Sequence, residues 1–178
     1  MLIFFDTEFT EIGIDPRLIS IGLVSEDGSR VFYAELSDSY QPKDCSAFVQ
    51  EAVLPHLEGG EARMTMDELT LRLDKWIESF EQPVQLATDS LSWDWPWIQE
   101  IFHYLEAWPQ NLDGKPASLY EIIDSPFLER NVEQIFQRHE PRLRRHHALD
   151  DAKVNRLVWL AWNDLKLNTT PRVQRFIG

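Results

Sequence analysis

Asp6 and Glu8 stand one position apart at the end of the apolar run Leu2-Ile3-Phe4-Phe5. A strand sends side chains i and i+2 to the same face, so both carboxylates point the same way. Two like charges held side by side at the edge of a core repel unless a cation lies between them, so the pair could bind a divalent metal. More carboxylates follow at helix starts. Asp89 and Asp94 flank Ser90-Leu91-Ser92-Trp93, and Asp150 and Asp151 open the last long apolar-periodic stretch. The positive end of a helix dipole favours a carboxylate in the first turn, which suits Asp94 as a cap or as a ligand. Asp151 extends the stripe of Val154, Val158, Ala161 and Leu165 backwards, but Asp150 lies four residues before Val154, and spacing leaves the choice open. No cysteine pair and no His-Glu-x-x-His helix is present, which removes the common zinc sites. Twelve residues counted from Asp89 put Asp94 where an EF-hand needs glycine, and the oxygen-rich ligand set favours magnesium or manganese.

These groups must be carried to one place by the elements around them. Residues 2 to 8, 18 to 24 and 30 to 36 read as three strands separated by polar turns, an antiparallel meander. Residues 46 to 57 are weakly helical and broken by Pro55. A clearer helix spans 66 to 80, where Thr65 caps and Glu68 stands at the capping-box spacing. Residues 83 to 88 form a fourth strand ending at Asp89, followed by a helix over 93 to 105. Residues 120 to 123 read as a fifth strand, and helices follow over 127 to 139 and 148 to 165. Strands first and then strand and helix in alternation imply a mixed sheet covered by helices, an α/β fold. Of Trp93, Trp95 and Trp97, two are expected in the core and one is free to stack on an unpaired base.

With 178 residues and 43% apolar content, the chain is expected to form one folded domain over residues 1 to 178. Cys45 is the only cysteine, which excludes an internal disulfide and suits a reducing compartment, so a cytoplasmic location is expected. No basic-then-apolar leader is visible and no apolar stretch approaches the ~18 residues of a membrane span. The net charge of −13 argues at first sight against a nucleic-acid partner, but it is unevenly spread. Residues 1 to 137 hold 8 basic and 26 acidic side chains, a balance of −18, whereas residues 138 to 178 hold 9 and 4, a balance of +5. Arg138, Arg142, Arg144 and Arg145 crowd beside His146 and His147, a local patch suited to a small or transient anionic ligand.

Asp6-Thr7-Glu8-Phe9-Thr10, Asp89 to Asp94 before a helix, and His146 to Ala152 together resemble the three motifs of the DEDDh 3'-to-5' exonucleases, and among them the small bacterial exoribonucleases in character. The family's third motif is a histidine, four residues and an aspartate, which matches His146 and Asp151. Its middle motif places an aspartate at a helix start, often five residues after an asparagine. Asp94 fits that place while Asp89 stands where the asparagine would be, so Asp89 either assists Asp94 or replaces it. The resemblance implies a ribonuclease H-like sheet, an antiparallel N-terminal meander plus parallel strands, flanked by helices. It implies two divalent ions, Mg2+ or Mn2+, on Asp6, Glu8, Asp94 and Asp151, with His146 as general base. The substrate would be single-stranded RNA 3' ends or short oligonucleotides, released as nucleoside 5'-monophosphates. Thr7, Phe9 and Thr10 would touch the terminal nucleotide and Glu8 its 3'-hydroxyl, and Arg142, Arg144 and Arg145 would take upstream phosphates. Single-stranded DNA is the alternative substrate, and a binding domain without catalysis the alternative role. The resemblance also admits a homodimer.

Overall fold

Six strands form one mixed sheet in the computed structural model, which describes residues 1–104, 106 and 108–169. They are β1 (Leu2–Phe9), β2 (Leu18–Ser25), β3 (Val31–Leu36), β4 (Arg63–Met64), β5 (Gln85–Thr88) and β6 (Ala117–Ser118), in the order β4-β3-β2-β1-β5-β6. The expected meander is present: β1 pairs antiparallel with β2 and β2 with β3, while β5 lies parallel to β1 and β6 parallel to β5. Six α-helices accompany the sheet: α1 (Ala47–Ala52), α2 (Met66–Glu78), α3 (Leu91–Tyr104), α4 (Leu119–Ile122), α5 (Ser125–His139) and α6 (Ala148–Thr169).

The central strand β1 has Ile3, Phe4 and Phe5 fully buried, because both faces of the sheet are covered. Ile3 and Phe5 join the cluster formed with Leu69, Leu73 and Ile77 of α2 and Ile98, Ile101 and Phe102 of α3. Phe4 joins Leu128 and Phe136 of α5 and Ala152, Val154 and Val158 of α6 on the opposite face. Burying each such side chain contributes about 1.5–3 kcal/mol, and a slip of one residue would exchange the two faces, so the register is firmly set. By the same alternation Asp6 and Glu8 follow Phe4 toward α6, whereas Thr7 follows Phe5 toward α3.

Helix α2 begins as its capping box requires, with Thr65 accepting from Glu68 N and the Glu68 side chain accepting from Thr65 N. The first strand runs to Phe9, so the acidic pair lies within it, as the shared direction of Asp6 and Glu8 requires. One expectation changes. Residues 120 to 123 are not a strand: only Ala117 and Ser118 pair with β5, and the chain then turns into α4. Leu119 and Ile123 are both buried in the α5/α6 core, and their i,i+4 spacing is the helical period. The two-residue strand β4 carried no sequence signal. No described helix is long and apolar enough to cross a membrane.

Candidate active site

Carboxylates from three other stretches of chain converge on Asp6. Strand β1 supplies Asp6 and Glu8, the turn after β5 supplies Asp89 and the first turn of α3 supplies Asp94. The first turn of α6 supplies Asp151. Carboxylate oxygens of Asp6, Asp89 and Asp94 lie within 4.8 Å of one another, and so do those of Asp6, Glu8 and Asp151. Asp6 belongs to both groups. The site thus offers two neighbouring sets of hard oxygen ligands that share one carboxylate, a donor set that suits divalent metal.

The electrostatics point the same way. Burial, then the charges of Asp94, Asp151, Glu8 and Asp89, hold the Asp6 carboxyl well above the usual range. Burial and then the Asp151 and Asp94 charges push Glu8 up to about 8. Burial likewise raises Asp151 to about 8 and Asp94 to about 7, against the lowering effect of their hydrogen bonds. Four carboxylates packed this closely cannot all ionise together unless positive charge is brought among them.

Asp94 is 1% exposed, and its orientation is fixed from two strands. Thr7 Oγ1 donates to Asp94 Oδ1 at 2.6 Å and Thr88 Oγ1 to Asp94 Oδ2 at 2.5 Å. Asp89 is held from α6, where Asn155 Nδ2 donates to its Oδ1 at 2.8 Å. Asp151 Oδ2 accepts from His147 N at 3.0 Å, which ties it to the loop before α6. The choice between the paired aspartates is made by their partners. Asp150 turns away, accepting from Arg144 Nε at 2.9 Å and Lys153 Nζ at 3.0 Å, and these cations lower its pKa despite burial.

The acidic groups line a cavity of about 580 Å³ whose wall also includes Phe9, Ile12, Phe48, Trp93 and His146. Phe9 and Trp93 stack at 5.9 Å with 20° between their planes, and Trp93 is 42% exposed. Trp97 is buried and Trp95 packs against the core, so the tryptophans divide as their spacing suggested. The His146 ring meets Phe48 edge-on at 4.9 Å. Burial and the charges of Arg145 and His56 pull His146 below its ordinary 6.5, which leaves it neutral near pH 7.

Some expected contacts are not brought to the cavity. Thr10 is buried outside it, its hydroxyl accepting from Arg17 N at 3.0 Å. Arg144 is committed elsewhere, to Asp150 and, through Nη2, to Glu58 Oε1 at 2.9 Å. Its neighbour His147 is buried and stacks on Tyr33 at 4.5 Å. Arg145 pairs with Glu133 and lies over the Phe136 ring at 4.5 Å, beside the cavity rather than in it. His146 is therefore flanked by residues anchored to opposite sides, Arg145 to α5 and His147 to β3.

One supporting residue passed unnoticed in the sequence. Gly22 pairs with Asp6 across β1 and β2, and a Cβ there would strike the backbone of Ala148 and Leu149 in α6. Its absence lets α6 cross the sheet closely enough to set Asp151 beside Asp6. An isolated glycine inside a strand is the available signal for such an approach.

The fold is shared with solved nucleases. The nuclease domain of 3'hExo, described as a DEDDh family member bound to rAMP, superposes with a TM-score of 0.59 at 15% identity, covering 93% of this chain and 91% of that one. The protease and nuclease unit of Neurospora crassa Pan2 gives 0.50 at 13% identity over 94% of this chain and 27% of that one. The chain thus has the ribonuclease H-like fold of these nuclease domains. Models of known protein families give no match. Two curated proteins from two strains of Mycobacterium tuberculosis, each named 3'-5' exoribonuclease, are 33% identical over 159 residues, covering 86% of this chain and 88% of theirs. The chain belongs to this 3'-5' exoribonuclease family and is a 3'-to-5' exonuclease.

Proposed function

We propose that this single-domain enzyme removes nucleotides from the 3' end of single-stranded RNA or short oligonucleotides, with two divalent ions and a histidine base. The observation that carries the reading is the sharing of Asp6 between two carboxylate groups on a cavity that His146 also lines. Asp6, Glu8, Asp94 and Asp151 would hold the ions, with Asp89 beside Asp6 and Asp94. Such ions, when bound, lower the pKa of a water ligand and neutralise charge on the phosphate.

The chain's own residues do the rest. His146 takes a proton from the attacking water at a ring nitrogen, as its lowered pKa and its place on the cavity wall support. The water oxygen forms a bond to phosphorus, the bond to the 3'-oxygen of the preceding nucleotide breaks, and that oxygen takes up a proton from solvent. A nucleoside 5'-monophosphate leaves. Phe9 and Trp93 offer an aromatic wall to the terminal base, and Glu8 an acceptor to its 3'-hydroxyl. Thr7 acts through Asp94, to which its hydroxyl is given. The names of the relatives support RNA over DNA as the substrate. A cytoplasmic homodimer is the assembly we propose, to be read by light scattering.

The test is cleavage of 5'-labelled single-stranded RNA and DNA with magnesium, manganese or chelator, by wild type and by Asp6→Asn, Asp89→Asn, Asp94→Asn and His146→Ala. Metal-dependent shortening of RNA from its 3' end is expected, kept by Asp89→Asn and lost in Asp94→Asn. No shortening of either substrate under any metal would overturn the enzyme reading, and preferential shortening of DNA would reassign the substrate.

A further inference from the structure

His146 lines a second cavity as well, of about 470 Å³, whose wall runs on through Arg145, Arg144 and Leu143. Leu143 in turn lines a third, of about 340 Å³, with an apolar floor of Val24, Val31 and Leu157 and a rim of Arg142, Lys153 and Arg156. His146 and Leu143, each shared by two neighbouring cavities, mark a path from the active site over the loop before α6 to a cationic cleft. Lys153 and Arg156 follow Asp151 by two and five positions on the same helix, about 200° and 140° round its axis, so the cleft lies on the far side of α6 and the strand must pass round the loop to reach it.

This cleft differs in charge from the path that leads to it. Among the described residues no carboxylate lines it, in a chain of 30 acidic and 17 basic residues, whereas the two cavities before it both carry carboxylates. His139 adds a further titratable nitrogen. Lys153 already meets Asp150, and Arg156 Nε donates to the Glu26 carbonyl at 2.7 Å, which fixes both heads at the rim. Arg142 is exposed and makes no side-chain hydrogen bond or ion pair among the described residues. Along the way Glu133 pairs with Arg145, and Glu140 also lines the second cavity.

We propose that this cleft is a second RNA subsite, which holds backbone phosphates of the single strand several nucleotides 5' of the scissile bond. The inference rests on the exoribonuclease reading. A chain with a net charge of −13 repels a polyanion, and a cationic landing point reached from the active site would offset that repulsion. The apolar floor would accept a splayed base while the rim takes the phosphates. Continuity with the active-site cavity favours the strand being cut over an acidic protein partner.

The test compares a labelled RNA dodecanucleotide with a dinucleotide, by fluorescence anisotropy in chelator and by steady-state cleavage with metal. Arg142→Glu should weaken dodecanucleotide binding about fivefold, the upper end for one exposed ion pair. It should flatten the logarithmic salt dependence by roughly 0.7, the share of one single-strand phosphate. KM for the dodecanucleotide should rise in step with kcat little altered, the dinucleotide should respond far less, and Arg142→Lys should restore binding. Equal shifts for both lengths, or a charge-reversed variant that binds the dodecanucleotide like wild type, would overturn the cleft. So would an Arg142-dependent grip on a glutamate-rich peptide with none on RNA. Arg142-dependent binding in chelator by a wild type that cuts nothing would support the cleft and sink the exoribonuclease reading, so the two failures are distinguishable.

Discussion

Replacing Gly22 with alanine should disable the site without touching a carboxylate. The added Cβ would lie about 1 Å inside the 3.4 Å of ordinary contact with Leu149 N and Cα and with the Ala148 carbonyl carbon. These are backbone atoms of a helix start, not the free end of a side chain, so the first turn of α6 must move off β2 by a comparable distance. Overpacking of this kind costs about 1–3 kcal/mol, and 2 kcal/mol lowers Tm by roughly 4–8 °C in a chain of this size. The functional cost should be larger than the thermal one. Asp151 and the loop bearing His146 move with that turn while Asp6 and Glu8 stay on β1, and a misplacement of about 1 Å can cost roughly 10²-fold in rate. The assay is kcat/KM on single-stranded RNA with saturating metal at a temperature where the variant is fully folded. Gly114→Ala, where an added Cβ meets nothing within 4 Å, is the control. A folded Gly22→Ala enzyme with kcat/KM within about twofold of wild type would refute the argument that close approach of α6 builds the site.

Arg144→Ala should lose about 2–3 kcal/mol of stability, because charge-assisted hydrogen bonds to the buried Asp150 carboxylate disappear, and Arg144→Lys should recover little, since a single ammonium cannot span both Asp150 and Glu58; urea unfolding reads both. For metal-free protein the raised pKa values of Glu8, Asp94 and Asp151 mean that folding favours their protonated forms. Their stabilising contribution is therefore full below about pH 4 and fades as pH rises through about 7 to 8, so Tm in chelator should fall across that window and added magnesium should restore it. An unchanged Tm across that range would count against a crowded acidic site. Activity should also fade at acid pH, on the low side of histidine's ordinary 6.5, as His146 takes up a proton, and in His146→Ala that acid limb should vanish from a kcat profile already lowered by about 10²-fold. Trp93→Ala should raise KM, with a loss of about 1–3 kcal/mol if a base stacks there, and a change in kcat alone would argue against stacking.

Much of this molecule was legible locally. The alternation of β1 put Asp6 and Glu8 on one face, and the capping box began α2 at Met66. The histidine and aspartate of the third motif, through family resemblance, singled out Asp151, whose neighbour Asp150 then proved to be bound to Arg144 and Lys153. Residues 120 to 123 misled because four apolar-rich residues fit either period, and only the core they face shows which applies.

What the sequence by itself determined are properties of neighbours along the chain: strand period, helix starts, an acidic pair with a shared direction and a basic final quarter. The tertiary structure alone decided which charges meet. Arg144 and Arg145 look alike in a string of arginines, yet carboxylates from distant elements, Glu58 and Glu133, set where each guanidinium goes. Gly22 and Asp151 lie 129 positions apart, and their proximity depends on a helix crossing a strand, a contact that no local pattern encodes. Long-range convergence is a result of packing the core as a whole, so the acidic site becomes visible only when both faces of the sheet are filled.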